Sequence, residues 1–445
     1  MGMDKKSIAI CVVLAMGLCL AQIMGSTVLT IACLGAYLIT VAWACYRDQA
    51  LPILLFFLPW SNLLRLSPDS FSFYSVGMLM CCCIGLIRNN SHFKKYALIS
   101  GVCLLLITLV SKLLDSTVLS LDYISFVMMI VFFPMIQAEG RKQKYDFYQL
   151  VVFLSLGVIV ASLCALNFAE YANIRKFIRV DAYQTIVRRS GFYGDANFYA
   201  AQILAALAGA LSLTTQEKNR KRMVFLIAVI IVLLYCGFLS GSKSFVLIAA
   251  MILVIWVIAI LKMKGRGGTK FILLTCLVGI AVYIASSALF GGLIDVLVTR
   301  FLRTHDFDSF TTGRMTLWNS YFEEIFDDLK VFFLGRGYTN VKVNGRASHN
   351  TIIQMFYQFG IVGVPVLIYW IVSFFKSNTQ KVNLRTLFNL RPLMVCVGAF
   401  VPWLALDILF FDEFFLFQWY VLIALTQVGG QGNIVQTQIR PHSRE

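Results

Sequence analysis

Long apolar runs follow one another along almost the whole chain, and their length is what most constrains its fold. A helix that crosses a bilayer needs about 20 predominantly apolar residues. About 14 windows approach that criterion, near 7–24, 26–45, 51–64, 70–87, 96–114, 122–137, 147–166, 196–213, 223–240, 244–261, 270–290, 351–375, 392–409 and 414–428. The third is short and contains Pro59, so it reads as a broken span. Of the 445 residues 59% are hydrophobic and 13% charged, against roughly 25% charged in a soluble domain. The chain therefore cannot surround its apolar content with a water-facing surface, which excludes a secreted soluble enzyme, a nucleic-acid-binding domain and a disordered chain. The expectation is an all-α integral membrane protein with about 12–14 transmembrane helices. Its organisation reads as N-terminal spans over 1–146, central spans over 147–290 with a basic outer loop at 167–195, a large extracytoplasmic loop over 291–350, and C-terminal spans with a cytoplasmic tail over 351–445.

The formal charge of +16 must then be placed. Lys and Arg gather in the cytoplasmic connections of a polytopic protein. Alternate connections carry Lys94 and Lys95; Arg141, Lys142 and Lys144; Lys218, Arg220, Lys221 and Arg222; Lys262, Lys264, Arg266 and Lys270; and Lys376, Lys381, Arg385 and Arg391. The short connections between them hold only Arg65, Lys112 and Lys243. That alternation implies an even number of spans with both termini cytoplasmic. All 12 cysteines fall in apolar stretches without a spaced CxxC pair, so they read as small buried hydrophobes and indicate neither a disulfide framework nor a zinc site. No A-x-A cleavage site follows the first apolar run, which makes it a retained helix.

Two outer segments break the alternation. The first, near 167–195, holds Arg175, Lys176, Arg179, Arg188 and Arg189; the second, near 291–350, holds Arg300, Arg303, Arg314, Lys330, Arg336, Lys342 and Arg346. Long loops translocate regardless of charge, but the first segment is short enough to be counted. Basic groups kept on the translocated side fit an anionic ligand handled at the outer face.

Arg188 and Arg189 lead into Ser190-Gly191-Phe192-Tyr193-Gly194-Asp195-Ala196-Asn197, a glycine-bearing turn entering a helix with Asp195 at the N-cap. Free N–H groups and the helix dipole favour anions there, and guanidinium groups match phosphate oxygens in pairs. Snorkelling to lipid headgroups is the structural alternative. Ser240-Gly241-Ser242-Lys243-Ser244 brings Lys243 to the outer boundary, as an anchor or as a ligand for the same anion. The long loop contains Thr312-Gly313-Arg314, Trp318, Leu334-Gly335-Arg336-Gly337-Tyr338 and, at its close, Ser348-His349-Asn350-Thr351. Apolar residues at helical spacing over 315–329 predict an amphipathic helix lying on the membrane surface or under the loop. His349, one of four histidines, stands where the loop re-enters the bilayer. Its near-neutral pKa suits removal of a proton from an attacking hydroxyl, although a lone histidine also serves as a hydrogen-bonded cap. Asp306-Phe307-Asp308 has the form of a metal-holding DxD, a triplet that arises readily by chance. Asp407, Asp412 and Glu413 near the last outer turn are candidates to support the site or to meet an acceptor.

Taken in order, these segments resemble the O-antigen ligase and polymerase superfamily of bacterial polytopic membrane glycosyltransferases. The pieces are R-S-G-x-x-x-D-A-N at 189–197, S-G-S-K at 240–243, G-R-x-x-x-W at 313–318, G-x-G at 335–337, and H-N followed by G-x-x-G within 349–363. The resemblance implies a GT-C-like fold in the bacterial cytoplasmic (inner) membrane, with a long extracytoplasmic loop before the H-N helix. It implies an undecaprenyl-diphosphate-linked glycan donor, a glycan acceptor, contact with membrane lipids, and no cofactor, nucleotide or obligatory metal. By position it makes Arg189, Arg314 and His349 the catalytic set, with His349 as base. Arg188, Arg189, Lys243, Arg314 and Arg336 become candidate diphosphate ligands, with Asn197 and Asn350 as further site candidates. Lys243 stands where many relatives have Arg, and Arg336 occupies a position that the family leaves variable.

A single displacement by an activated hydroxyl inverts the anomeric centre. The leading expectation is a polysaccharide polymerase that moves a growing lipid-linked chain of O-antigen, capsule or similar onto the next repeat unit. An O-antigen ligase would hand the same glycan to lipid A-core or another surface acceptor. A lipid-linked oligosaccharide flippase is the alternative of another class, disfavoured because no internal repeat is evident and the charges cluster at helix ends rather than the midplane.

Overall fold

The computed structural model of the chain describes residues 5–89, 93–136, 146–178, 180–183, 186–264, 313–338, 342–378 and 389–428, with single positions at 268, 272, 273, 308 and 311. The helices in order are α1 (Lys5–Ile23), α2 (Thr27–Tyr46), α3 (Ala50–Phe57), α4 (Phe73–Asn89), α5 (Lys95–Leu114), α6 (Leu121–Phe132), α7 (Phe147–Phe168), α8 (Ala172–Arg175), α9 (Ala196–Thr214), α10 (Arg220–Leu239) and α11 (Lys243–Lys264). They continue with α12 (Arg314–Asp327), α13 (Leu329–Leu334), α14 (Thr351–Asn378), α15 (Leu390–Phe400) and α16 (Glu413–Val428).

Eight of these helices, α1, α2, α5, α7, α9, α10, α11 and α14, are long and apolar enough to cross a membrane. The chain is a multi-pass membrane protein. Shorter apolar helices cover 50–60, 73–87, 121–135 and 390–405, so several of the hydropathy windows mark segments too short to cross alone. Proline explains two of them. It lacks an N–H and clashes with the preceding turn, and α3 and α6 tighten into 3-10 turns at Leu58–Trp60 and Phe133–Met135, around Pro59 and Pro134. Most of the window at 270–290 and of 291–312 lies outside the described residues. Large apolar side chains such as Val13, Val28, Ile39, Leu113 and Val254 are exposed, as lipid contact requires.

The centre of the bundle is α9, 89% of whose apolar window is buried against 28% for α2. Its alanine-rich sequence lets neighbours approach closely, the packing mode of membrane helices. At the crossing with α15, a Cβ on Gly398 would stand 2.5 Å from that of Ala208. Among the described residues the expected all-helical chain departs within 167–195, where β1 (Val180–Tyr183) and β2 (Ile186–Arg189) form an antiparallel hairpin that pairs Asp181 with Arg188 and Val180 with Arg189. The described cysteines are free, but Cys83 is exposed rather than buried as its apolar setting implied.

Beside the bundle lies a second, smaller core in which Leu317, Tyr321, Ile325 and Val331 pack against Ile353 and Tyr357 of α14. The amphipathic helix expected over 315–329 is α12, and it ends because Asp328 turns extended and caps α13, accepting the Lys330 N–H at 2.9 Å. The other edge of this layer exposes Phe322, Phe326, Leu329 and Phe333. Two glycines clamp the layer to α14. Gly335 (φ 71°) would place a Cβ 2.3 Å from the Gln358 carbonyl carbon, and Gly360 (φ 59°), where α14 kinks, would place one 2.3 Å from the Phe333 oxygen. The backbones cross there at a distance only glycine allows.

Candidate functional site

The chain enters α14 through His349, whose φ of +50° lies in the left-handed region that costs a side-chain-bearing residue about 1–2 kcal/mol. Asp407 holds it there. Its Oδ2 accepts the His349 N–H at 2.8 Å, and its Oδ1 accepts the Asn350 N–H at 3.3 Å and the Ser348 hydroxyl. The imidazole Nδ1 stands 3.9 Å from Oδ2, within ion-pair reach when protonated. The Thr351 hydroxyl donates to the Leu406 carbonyl and accepts the Ile408 N–H at 3.1 Å, so the H-N entry and the 406–409 segment form one unit. Asn350 is engaged in building it: its side chain caps α14, accepting N–H groups of Ile352 at 2.9 Å and Ile353 at 3.3 Å.

The α12–α13 layer brings cations to this point. Asn344 (φ 51°) and Gly345 (φ 74°) adopt the paired positive angles of a two-residue hairpin turn, closing Val343 on Arg346. The Tyr321 hydroxyl accepts the Val343 N–H at 3.4 Å and donates to the Arg346 carbonyl at 2.9 Å, while Trp318 Nε1 donates to the Ser348 carbonyl at 2.9 Å. Asp308 secures the start of α12, its carboxylate accepting the Thr316 N–H at 3.1 Å and hydroxyl at 3.0 Å. This is the described half of the DxD triplet; Asp306 lies outside the described residues. Arg314, first residue of α12, and Arg346 thereby come within electrostatic reach of His349. Burial holds the imidazole below its ordinary value of 6.5; Asp407 opposes that shift, Arg314 adds to it, Asp195 opposes it and Arg346 adds to it. A neutral imidazole near pH 7 has the form of a proton acceptor.

The other two basic motifs meet each other. Asp195 caps α9 as expected, accepting the Asn197 N–H at 2.6 Å. The Ser242 hydroxyl donates to Asn197 Oδ1 at 2.9 Å and accepts the Phe245 N–H at 3.4 Å, so Asn197 is a strut between the D-A-N turn and the S-G-S-K turn. Lys243 begins α11 from this junction, half-buried. Arg189 lines a narrow crevice with Gly191, Tyr199, Cys236 and Leu239, within electrostatic reach of Tyr235. Arg188 pairs with Asp181 in the hairpin register, and its side chain lies outside the described part. Arg336 is engaged within its own layer, with Glu324 and Asp328 each 3.7 Å from its guanidinium and the Tyr357 hydroxyl donating to the same Glu324 at 2.7 Å.

Beside His349 and Asp407 opens a cavity of about 1090 Å³, lined also by residues of the 62–75 segment and α6. Its wall contains none of Arg189, Lys243, Arg314 and Arg336. Asp412 faces it, with the Ser75 hydroxyl 3.4 Å from both carboxylate oxygens. Burial and the adjacent Glu413 push its carboxyl up to about 7. Glu413 is tied to Gln202 Nε2 at 2.7 Å and to the Tyr193 hydroxyl at 3.2 Å.

Sequence reasoning named His349 and Arg314 and did not single out Arg346 or the part played by the 62–75 segment. Asn344-Gly345 was the legible signal for the turn that returns Arg346. Asp407 was one of three carboxylates near the last outer turn, and only the fold distinguishes it. No family model matches the chain, and no curated protein is significantly similar to it.

Proposed function

We propose that the protein is a metal-independent, inverting membrane glycosyltransferase that polymerises undecaprenyl-diphosphate-linked repeat units of a surface polysaccharide. On this reading it is GT-C-like, lies in a bacterial cytoplasmic membrane with both termini inside, and works at the outer face. The observation that supports the reading is a single juxtaposition: a half-buried imidazole, its backbone fixed by Asp407, within electrostatic reach of Arg314 and Arg346 and at the wall of a glycan-sized cavity. The acceptor hydroxyl gives its proton to His349 and its oxygen attacks the anomeric carbon. The bond from that carbon to the diphosphate oxygen breaks, and undecaprenyl diphosphate leaves with the electron pair. Arg314, Arg189 and Lys243 are assigned to stabilise the charge that grows on the leaving group. His349 returns its proton to solvent.

The test is the ladder of surface polysaccharide in a deletion strain complemented with wild type, His349→Ala, Arg189→Ala or Arg314→Ala, with membrane level checked for each. Collapse to single repeat units on their final acceptor is the expected result. Full-length chains accumulating on undecaprenyl diphosphate would make the protein a ligase. Movement of lipid-linked sugar without a new glycosidic bond would make it a flippase, and wild-type ladders in all three variants would refute the catalytic assignment.

A further inference from the structure

The basic residues of the outer face and the large cavity are separate features, and the cavity has a charge of its own. Among its described wall residues the carboxylates of Asp69, Asp122, Asp195 and Asp407 face a single arginine, Arg65, and Asp412, pushed up to about 7, adds only part of a charge near neutral pH. That arginine is taken up by its own loop, Nη1 donating to the carbonyls of Ser70 at 2.9 Å and Pro68 at 3.4 Å. A diphosphate would gain nothing by entering, whereas hydroxyl groups find carboxylate acceptors throughout.

Two further observations mark the cavity as a ligand chamber. At about 1090 Å³ it exceeds the roughly 300–1,000 Å³ of ordinary small-molecule sites, which leaves room for more than one sugar. On its wall Gln354 is 4% exposed, its Oε1 accepting the Leu409 N–H at 3.4 Å while Nε2 has no partner among the described residues. A buried amide donor left so is costly unless a ligand or water completes it. Tyr193, Tyr338 and Tyr357 add flat faces with polar edges to the same wall. His349 shares this wall, so a hydroxyl of a bound glycan can reach the proposed base from inside the chamber.

We propose that this chamber is the acceptor-glycan subsite and that it favours neutral or amino-bearing sugars over acidic ones such as uronic acids. The inference rests on the transferase reading for the word acceptor, and on the cavity alone for its selectivity. A sugar carboxylate entering the chamber meets several like charges at short range in a partly dry medium, where one unit-charge repulsion changes affinity by about tenfold or more.

The test uses the full chain in phosphatidylcholine nanodiscs at about 0.15 M salt, where long-range surface charge is screened. Octyl β-glucoside, octyl β-glucosaminide and octyl β-glucuronide, each below its micelle concentration, are titrated against it and against empty nanodiscs. Binding is read by saturation-transfer NMR. The glucoside and glucosaminide are expected to bind, the glucuronide at least about tenfold more weakly. Asp69→Asn combined with Asp122→Asn is expected to narrow that gap to about threefold, and Gln354→Leu to weaken all three probes. A glucuronide that binds as well as the glucoside, or no binding above empty nanodiscs, overturns the proposal. Because binding is read without turnover, selective binding with normal ladders in His349→Ala would remove the transferase reading alone. Equal binding of the glucuronide with collapsed ladders would remove the selectivity alone.

Discussion

Replacing Asp407 by Asn keeps the shape of the side chain and takes away the charge that three donors share. A hydrogen bond to a charged group contributes about 1.5–3 kcal/mol and a neutral one about 0.5–1.5 kcal/mol. An amide can offer its oxygen to one side only. With the oxygen at the Oδ1 position, the amide NH2 faces the His349 N–H, which in the wild type donates to Oδ2 at 2.8 Å; flipped, it faces the Asn350 N–H and the Ser348 hydroxyl. Either way one backbone donor is left opposed and the remaining bonds are weakened, a loss of about 2–4 kcal/mol. The left-handed backbone at His349, which costs about 1–2 kcal/mol, then relaxes and takes the imidazole with it. At 1.36 kcal/mol per decade, coupling of lipid-linked repeat units should slow by roughly 30- to 1,000-fold. The assay is the initial rate of chain extension by purified protein with lipid-linked donor and acceptor, alongside a thermal melt to show that the bundle still folds. A rate within threefold of wild type, while His349→Ala is inactive, would refute the claim that Asp407 orients the base.

Burial lowers the His349 pKa, so the acid limb of the rate–pH profile should lie below 6.5; Arg314→Ala should move it up and Asp407→Asn down, read from rates between pH 5 and 8. The sign for stability agrees: as pH falls through 6.5 the unfolded chain takes up a proton that the folded site refuses, so this group makes folding weaker at low pH and neutral in effect above 6.5. Gly335→Ala and Gly360→Ala each force a Cβ to 2.3 Å from backbone atoms, and each should cost about 3 kcal/mol or more in melting experiments. Gly345→Ala, at φ 74° with open space around it, should cost only about 1–2 kcal/mol, and equal losses at all three positions would contradict the packing account. Arg336→Ala removes ion pairs whose side chains are 32–41% exposed, so it should change stability by at most about 1 kcal/mol and the coupling rate by less than threefold. Arg314→Ala should slow coupling by about a hundredfold.

Much of the architecture is legible in hydropathy because lipid leaves helices no alternative partner for their backbone groups. The length of each span is less legible, because a window scores apolar content and not the point where the backbone breaks. Residues 51–64 score as a span, yet Pro59 turns the chain into a 3-10 bend within a fully buried element. The motif ends were readable for a local reason. Asp195 next to Ala196, and Asn344 next to Gly345, determine their own turns through contacts a few residues away. Asp407 acts across 57 to 59 residues, on Ser348, His349 and Asn350, and no spacing rule reaches that far. Arg336 shows the converse limit: its motif is local and conspicuous, but the Glu324 and Asp328 partners 3.7 Å from its guanidinium, brought there by the bend between α12 and α13, could not be read from the motif.

On the proposed transferase reading, charge bears on the choice of base. The cavity wall carries carboxylates and none of Arg189, Lys243, Arg314 and Arg336, so a base on that wall that also feels Arg314 and Arg346 must tolerate both signs. His349 is such a group. Its neutral form adds no charge to either side, Asp407 and Asp195 favour its protonation, and Arg314 and Arg346 oppose it. The imidazole can therefore accept a proton as negative charge leaves past the arginines and release it once that charge has gone. A lysine in its place would hold its proton against the carboxylates, and a glutamate would hold its charge against the arginines. On this argument His349→Lys and His349→Glu should both fail in chain extension, although each carries an ionisable group at the same point.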